Sequence, residues 1–101
     1  MNNVAFDSDA RAEFLAAVRY YEEFRKGLGL RFRQTVEAQL GKIREMPFRF
    51  RVLRAPFRRC VVPKFPYAIV YTIEPEFILV VAVAHNKRQP EYWNDRVDTQ
   101  P

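Results

Sequence analysis

A single cysteine, Cys60, and a single histidine, His85, close off several kinds of chemistry at once. One thiol makes no disulfide within its own chain, so no secreted disulfide framework can be read here. One cysteine and one histidine do not make a structural zinc site either. No run of about 18 or more apolar residues exists, so no segment is expected to span a membrane as a helix. The start, Met1 to Phe6, lacks the basic opening and long apolar stretch of a signal peptide. The expectation is a soluble, unprocessed, cytoplasmic protein. No metal-ligand, nucleophile or phosphate-loop signature is present, which argues against an enzyme acting alone on a small substrate. No metal and no cofactor are expected.

What the chain does have is material for one core. Of its 101 residues, 49% are hydrophobic and 15% aromatic, which suits a single domain spanning 1–101. Cys60 lies in an alternating apolar run and reads as a buried structural thiol. The net charge is +5, and its placement says more than its size. Residues 1–45 are nearly balanced, with eight Lys/Arg against seven Asp/Glu. Between Arg49 and Lys64 there are six basic residues (Arg49, Arg51, Arg54, Arg58, Arg59, Lys64) and no acid. A one-signed stretch makes a field that attracts an anionic partner, whether nucleic acid or an acidic protein segment.

The periodicity changes once, near Pro47. Val4-Ala5-Phe6 is a short strand, and Asp7, Ser8 and Asp9 can each cap a following helix. Ala10, Phe14, Ala17, Val18 and Tyr21 then share one face of a helix running to about Lys26. Arg11, Arg19, Glu22 and Glu23 take the other face. Gly27 and Gly29 permit the left-handed turn that ends it. A second helix reads from about Leu28 to Glu45, with Phe32, Val36, Leu40 and Ile43 as its stripe, and Pro47 stops it. So short a link predicts an antiparallel hairpin. Residues 46–55, alternating arginine with apolar residues, read as a loop. Three strands follow: Phe57 to Val62, Tyr67 to Ile73, and Phe77 to Ala84, the last two joined by the Glu74-Pro75-Glu76 turn. The Phe77–Ala84 run is apolar on both faces and is expected to be central. Helices packed on an antiparallel sheet give an α+β fold. Phe65, Pro66 and Tyr67 read as core and strand entry. Trp93 is expected to pack the polar C-terminal tail onto the helices.

Several stretches in this order carry a resemblance. They are Tyr20-Tyr21-Glu22, Leu28-Gly29-Leu30-Arg31-Phe32, a proline after the second helix, Arg58-Arg59, Lys64-Phe65-Pro66-Tyr67-Ala68-Ile69-Val70-Tyr71, Ala82 through Pro90, and Tyr92-Trp93-Asn94-Asp95-Arg96. Together, over about residues 4–96, the chain resembles the RelE/ParE superfamily of toxins from bacterial type II toxin–antitoxin systems. The resemblance implies a short N-terminal strand and a helical hairpin packed on a twisted antiparallel sheet. It also implies a ParD-like antitoxin that folds on the toxin in a hetero-oligomer. Two targets are open. ParE-like members poison DNA gyrase, and others cut messenger RNA on the ribosome.

The two targets need different chemistry. A metal-free ribonuclease needs a positioned acid and base and fixed cations at the phosphate. His85 could be acid or base, since an ordinary histidine titrates near neutrality. Arg88 and Arg59 could clamp phosphate with forked donors, and Tyr92 could donate a proton or stack on a base. The ribonuclease branch, however, carries a denser Lys/Arg cluster on its strands. Here Lys64 is the sole lysine of the strand region. The long hairpin and the Tyr92–Arg96 tail look more ParE-like, a reading in which the toxin breaks no bond itself and is not an enzyme. Arg58, Arg59 and Arg88 then become target-binding residues. Arg59 could instead pair with Glu91 or Asp95. Arg88, in a polar loop with no evident structural role, is the first functional choice. Phe24, Leu28 and Leu30 beside the hairpin turn, with Arg49 and Arg51, are the antitoxin-binding candidates.

Overall fold

The computed structural model describes residues 3–97, and the outer ends of the expected 1–101 domain lie outside them. Strand β1 (Asn3–Phe6) leads into helix α1 (Ser8–Phe24). Asp7 caps α1, its carboxylate accepting from the Asp9 N–H at 2.9 Å. The helix stops at Phe24, two residues before the expected Lys26, because Arg25 turns to extended backbone. Gly27 supplies the left-handed link at φ 89. Helix α2 covers Leu28–Glu45, as the spacing predicts.

Gly29 does not belong to the turn. It lies buried in the first turn of α2, where a Cβ would meet the Val18 carbonyl oxygen at 2.5 Å. Its missing side chain lets the two helices close up. Glu22, expected as a solvated residue, caps the start of α2. Its two oxygens accept from the N–H groups of Gly27 at 2.9 Å and Gly29 at 3.0 Å.

Residues 46–55 are not wholly a loop. β2 (Arg51–Arg54) pairs antiparallel with β3 (Phe57–Val62), β4 (Tyr67–Ile73) follows at the expected boundaries, and β5 (Phe77–His85) runs one residue past the expected Ala84. The sheet order is β1-β5-β4-β3-β2. Its neighbours are antiparallel except that β1 runs parallel to β5, so the sheet is mixed. β5 is interior, although β4 occupies the middle position.

Helices α1 and α2 cover one face of the sheet. Ala10, Ala17, Phe32, Val36 and Ile43 meet Cys60, Val62, Ile69, Tyr71, Ile78, Val80 and Val83 there. Tyr21, Phe32, Phe65 and Tyr67 close the end of that layer, with Phe32 5.0 Å from Phe65 and 5.1 Å from Tyr67 between ring centroids. The Cys60 thiol is fully buried, accepts from the Gln39 amide at 3.3 Å, and has its pKa pushed up by burial.

The other face carries a second cluster of Phe57, Val70, Val81, Ala82 and Trp93. Trp93 therefore packs the tail on the side away from the helices, with its ring 4.6 Å from that of Phe57. The expectation that it docks on the helices fails because Phe57 turns its side chain to the far face and offers an aromatic partner there. β5 serves both clusters through a bulge. Val70 pairs with Ala82 and Tyr71 with Val80, leaving Val81 as the extra residue. Val81 and Ala82 consequently both face the tail, while Val80 and Val83 face the helices.

Candidate functional site

The polar groups of the tail converge on one residue that the sequence pattern did not single out, Glu13 of α1. β1 pairs with β5 only as far as Val80, so the backbone beyond it needs other partners. Glu13 Oε1 accepts from the Val83 N–H at 3.0 Å. Its Oε2 accepts from the Tyr92 hydroxyl at 2.8 Å and from Arg96 Nη2 at 2.9 Å. Arg96 Nη1 donates in turn to the Val81 carbonyl at 3.1 Å. A carboxylate and a guanidinium thus finish the strand edge where β1 ends. Burial pushes the Tyr92 hydroxyl pKa up, and its hydrogen bond to Glu13 adds to the rise. Burial alone would lower the Arg96 pKa, but the hydrogen bond and charge of Glu13 reverse this and hold it up.

Arg88 joins the same cluster. Its guanidinium carbon stands 3.8 Å from the centre of the Tyr92 ring, and Nη1 lies 3.8 Å from Glu13 Oε2. Arg88 therefore has a structural role after all, since it covers the aromatic residue that ties the tail to α1. Only its half-exposed outer side is left for a partner.

His85 ends β5. Its Nδ1 accepts from the Lys87 N–H at 3.0 Å, and its ring stands edge-on to Tyr67 at 5.1 Å. It is paired with Tyr67 across the sheet, on the helix side. Arg59 is paired with Val70, on the tail side. Strand alternation thus sends the proposed acid–base residue and the proposed phosphate ligand to opposite faces. Both border one hollow of about 280 Å³, floored by Ala68, Val70 and Ala84 and walled by Leu53, Tyr92 and Trp93.

Arg58 turns to the helix face. It donates to the carbonyls of Phe48 at 3.1 Å and Phe50 at 2.8 Å and lies 5.2 Å from the Phe48 ring centre. These bonds hold the segment between α2 and β2, so its role here is structural. Tyr71 anchors the same segment, donating to the Pro47 carbonyl at 2.6 Å. Burial pushes the Tyr71 pKa up to about 12. Arg59 is not paired with Glu91 or Asp95. Its amide partner is Asn86 Oδ1 at 3.4 Å, and Glu91 instead binds Arg54 at 2.7 Å.

The antitoxin-binding candidates fall in two places. Phe24 is 74% exposed and Leu30 57% exposed, flanking the hairpin turn, with Leu28 half-buried between them. Beside Phe24 a groove of about 450 Å³ is lined by Tyr20, Tyr21, Pro66, Tyr67 and His85. Arg49 and Arg51 are exposed on the run into β2, whose outer edge has no strand partner among the described residues.

The sequence matches the family profile of the ParE toxin of type II toxin–antitoxin system, parDE, over residues 4–90. No curated protein matches it. Among solved structures, the chain is similar to one from the chromosomal ParDE TA system from P. aeruginosa. The TM-score is 0.73 at 12% sequence identity, covering 84% of this chain and 96% of that chain. At that identity the likeness is one of fold.

Proposed function

The chain belongs to the ParE toxin family of type II toxin–antitoxin systems, and from that premise we propose that it arrests growth by poisoning DNA gyrase in the cytoplasm and is neutralised by a ParD-like antitoxin. The observation that carries this reading is the family match over residues 4–90. The geometry supports it from the negative side of the alternative. A ribonuclease needs an acid and a base free to face one phosphate. Here the Tyr92 hydroxyl is committed to Glu13, His85 Nδ1 to the Lys87 backbone, and Arg88 to the Tyr92 ring. Holding an enzyme–DNA intermediate requires a contact surface instead, and Arg59 with the outer side of Arg88 remains available for it.

Neutralisation needs a surface that an amphipathic segment can cover. The exposed Phe24 and Leu30, with the aromatic groove beside them, suit the apolar face of a helix that orders on binding. The open edge of β2 suits an added strand, with Arg49 and Arg51 attracting acidic side chains. The similar fold from P. aeruginosa comes from a ParDE system, in keeping with such a partner. Induced expression without an antitoxin is expected to stop growth, and coexpression of the antitoxin to restore it. Normal growth at high levels of soluble, folded protein would remove the toxin reading.

A further inference from the structure

The strand register sets two arginines directly against each other. Arg51 of β2 and Arg59 of β3 are cross-strand partners. Arg59 is paired on its other side with Val70, a member of the tail-side cluster, so this pair stands on the sheet face turned away from the helices. Opposite charges favour such a position, and like charges directly opposite one another are destabilising. Neither arginine forms an ion pair with a carboxylate among the described residues. The chain balances a guanidinium on the same strand when it needs to, since Arg54 meets Glu91 at 2.7 Å.

The surroundings extend the pattern. Lys64 in the β3–β4 turn and Lys87 after β5 lie at one end of the sheet, both exposed. Glu74 and Glu76 lie in the β4–β5 turn at the other end, about 20 Å away along β4. Beside Arg59 the hollow floored by Ala68, Val70 and Ala84 keeps the sheet surface low.

We propose that Arg51 and Arg59 form a phosphate clamp, and that the tail-side face of the sheet holds the phosphodiester backbone of a nucleic-acid strand. A phosphodiester has two non-bridging oxygens, one for each forked guanidinium. Successive phosphates of the same strand continue toward Lys64 and Lys87, away from the acidic turn. A carboxylate offers two oxygens as well, but a nucleic-acid strand repeats its charge at every nucleotide, which the exposed cations continuing from the pair can follow. This contact goes beyond the gyrase reading and stands or falls without it, because it needs the toxin and nucleic acid alone.

The test is fluorescence anisotropy of the purified chain, without gyrase, on labelled single-stranded DNA, duplex DNA and an acidic peptide of equal charge. The wild type binds DNA in a salt-sensitive way, and the tighter of the two DNA forms names the source of the phosphates. The Arg51→Gln/Arg59→Gln variant binds about tenfold or more weakly at low salt. Its slope of log affinity against log salt is shallower by about 0.7–0.9, one lost phosphate contact. Thermal melting supplies a second readout. The Arg51→Gln variant melts at or above the wild type, because a repulsion is relieved without loss of the Arg59–Asn86 bond, and added DNA raises the wild-type melting temperature more than that of the double variant. DNA affinity unchanged in the folded double variant, equal binding of the acidic peptide, or a lowered melting temperature in Arg51→Gln would overturn the proposal.

Discussion

Glu13 is the residue on which the C-terminal tail depends. Its carboxylate accepts from two sides, the Val83 backbone on one and the Tyr92 and Arg96 side chains on the other. Glu13→Ala leaves a mostly buried guanidinium and a strand N–H without an acceptor, at a cost of about 2–3 kcal/mol. Urea denaturation followed by Trp93 fluorescence reads that loss, and a change under about 0.5 kcal/mol would show that the tail holds without Glu13. Tyr71 gives a prediction in pH. Its folded-state pKa lies above its ordinary value of 10.0, at about 12, because it is buried. The folded chain therefore keeps a proton that the unfolded chain releases. The stabilisation is complete below about pH 10 and is lost as the pH rises toward about 12. Tyr71→Phe costs about 1 kcal/mol at neutral pH through the lost bond to Pro47. Its stability falls less steeply than the wild type's over the alkaline window, although the raised pKa of Tyr92 keeps some slope. Parallel slopes in the two proteins would contradict the assignment.

Among the elements, α2 holds two glycines that should answer the same substitution with opposite signs. Gly29→Ala drives a Cβ against the Val18 carbonyl and Glu22, so the hairpin must part, costing about 1–3 kcal/mol. Gly41→Ala meets nothing within 4 Å and gains about 0.5–1 kcal/mol from helix propensity. Melting temperatures that moved the same way would refute this packing of α1 on α2. Val80→Asp buries an unpaired charge at a fully buried position of β5 and should abolish folding; a cooperatively melting variant would contradict the strand's placement. The elements that sequence shows well are those buried on a stripe or on both faces. The α2 boundaries and the β3, β4 and β5 runs follow from spacing and from Pro47 and Pro75. β2 is not legible in this way, because all four of its residues are exposed and its pairing slips between Val52 and Arg54, so its alternation carries no burial signal. The site was legible only in part. Arg59 and Arg88 were visible as basic residues, but Glu13 sits in an ordinary amphipathic helix, and its partners come from about seventy to eighty-three residues away. The Val81 bulge, which decides which side chains face the tail, has no local marker.

At the scale of the whole molecule, the sheet is covered by helices on one face and in part by a short tail on the other. The tail stands beside the half-buried Arg59 and leaves Arg51 exposed, and the hairpin leaves Phe24 and Leu30 open at its turn. Two unlike surfaces, one basic and one apolar, suit the proposed function, which asks for contact with both a nucleic-acid-handling target and an antitoxin. No helix among the described residues is long and apolar enough to cross a membrane. The most direct test of the toxin reading is a cleavage assay with the purified chain, DNA gyrase, supercoiled plasmid and ATP. Broken DNA covalently linked to gyrase is expected, suppressed when the antitoxin is added first. Intact plasmid, from a preparation that still arrests growth when expressed, would contradict gyrase as the target and return His85, Arg88 and Tyr92 to scrutiny on translating ribosomes.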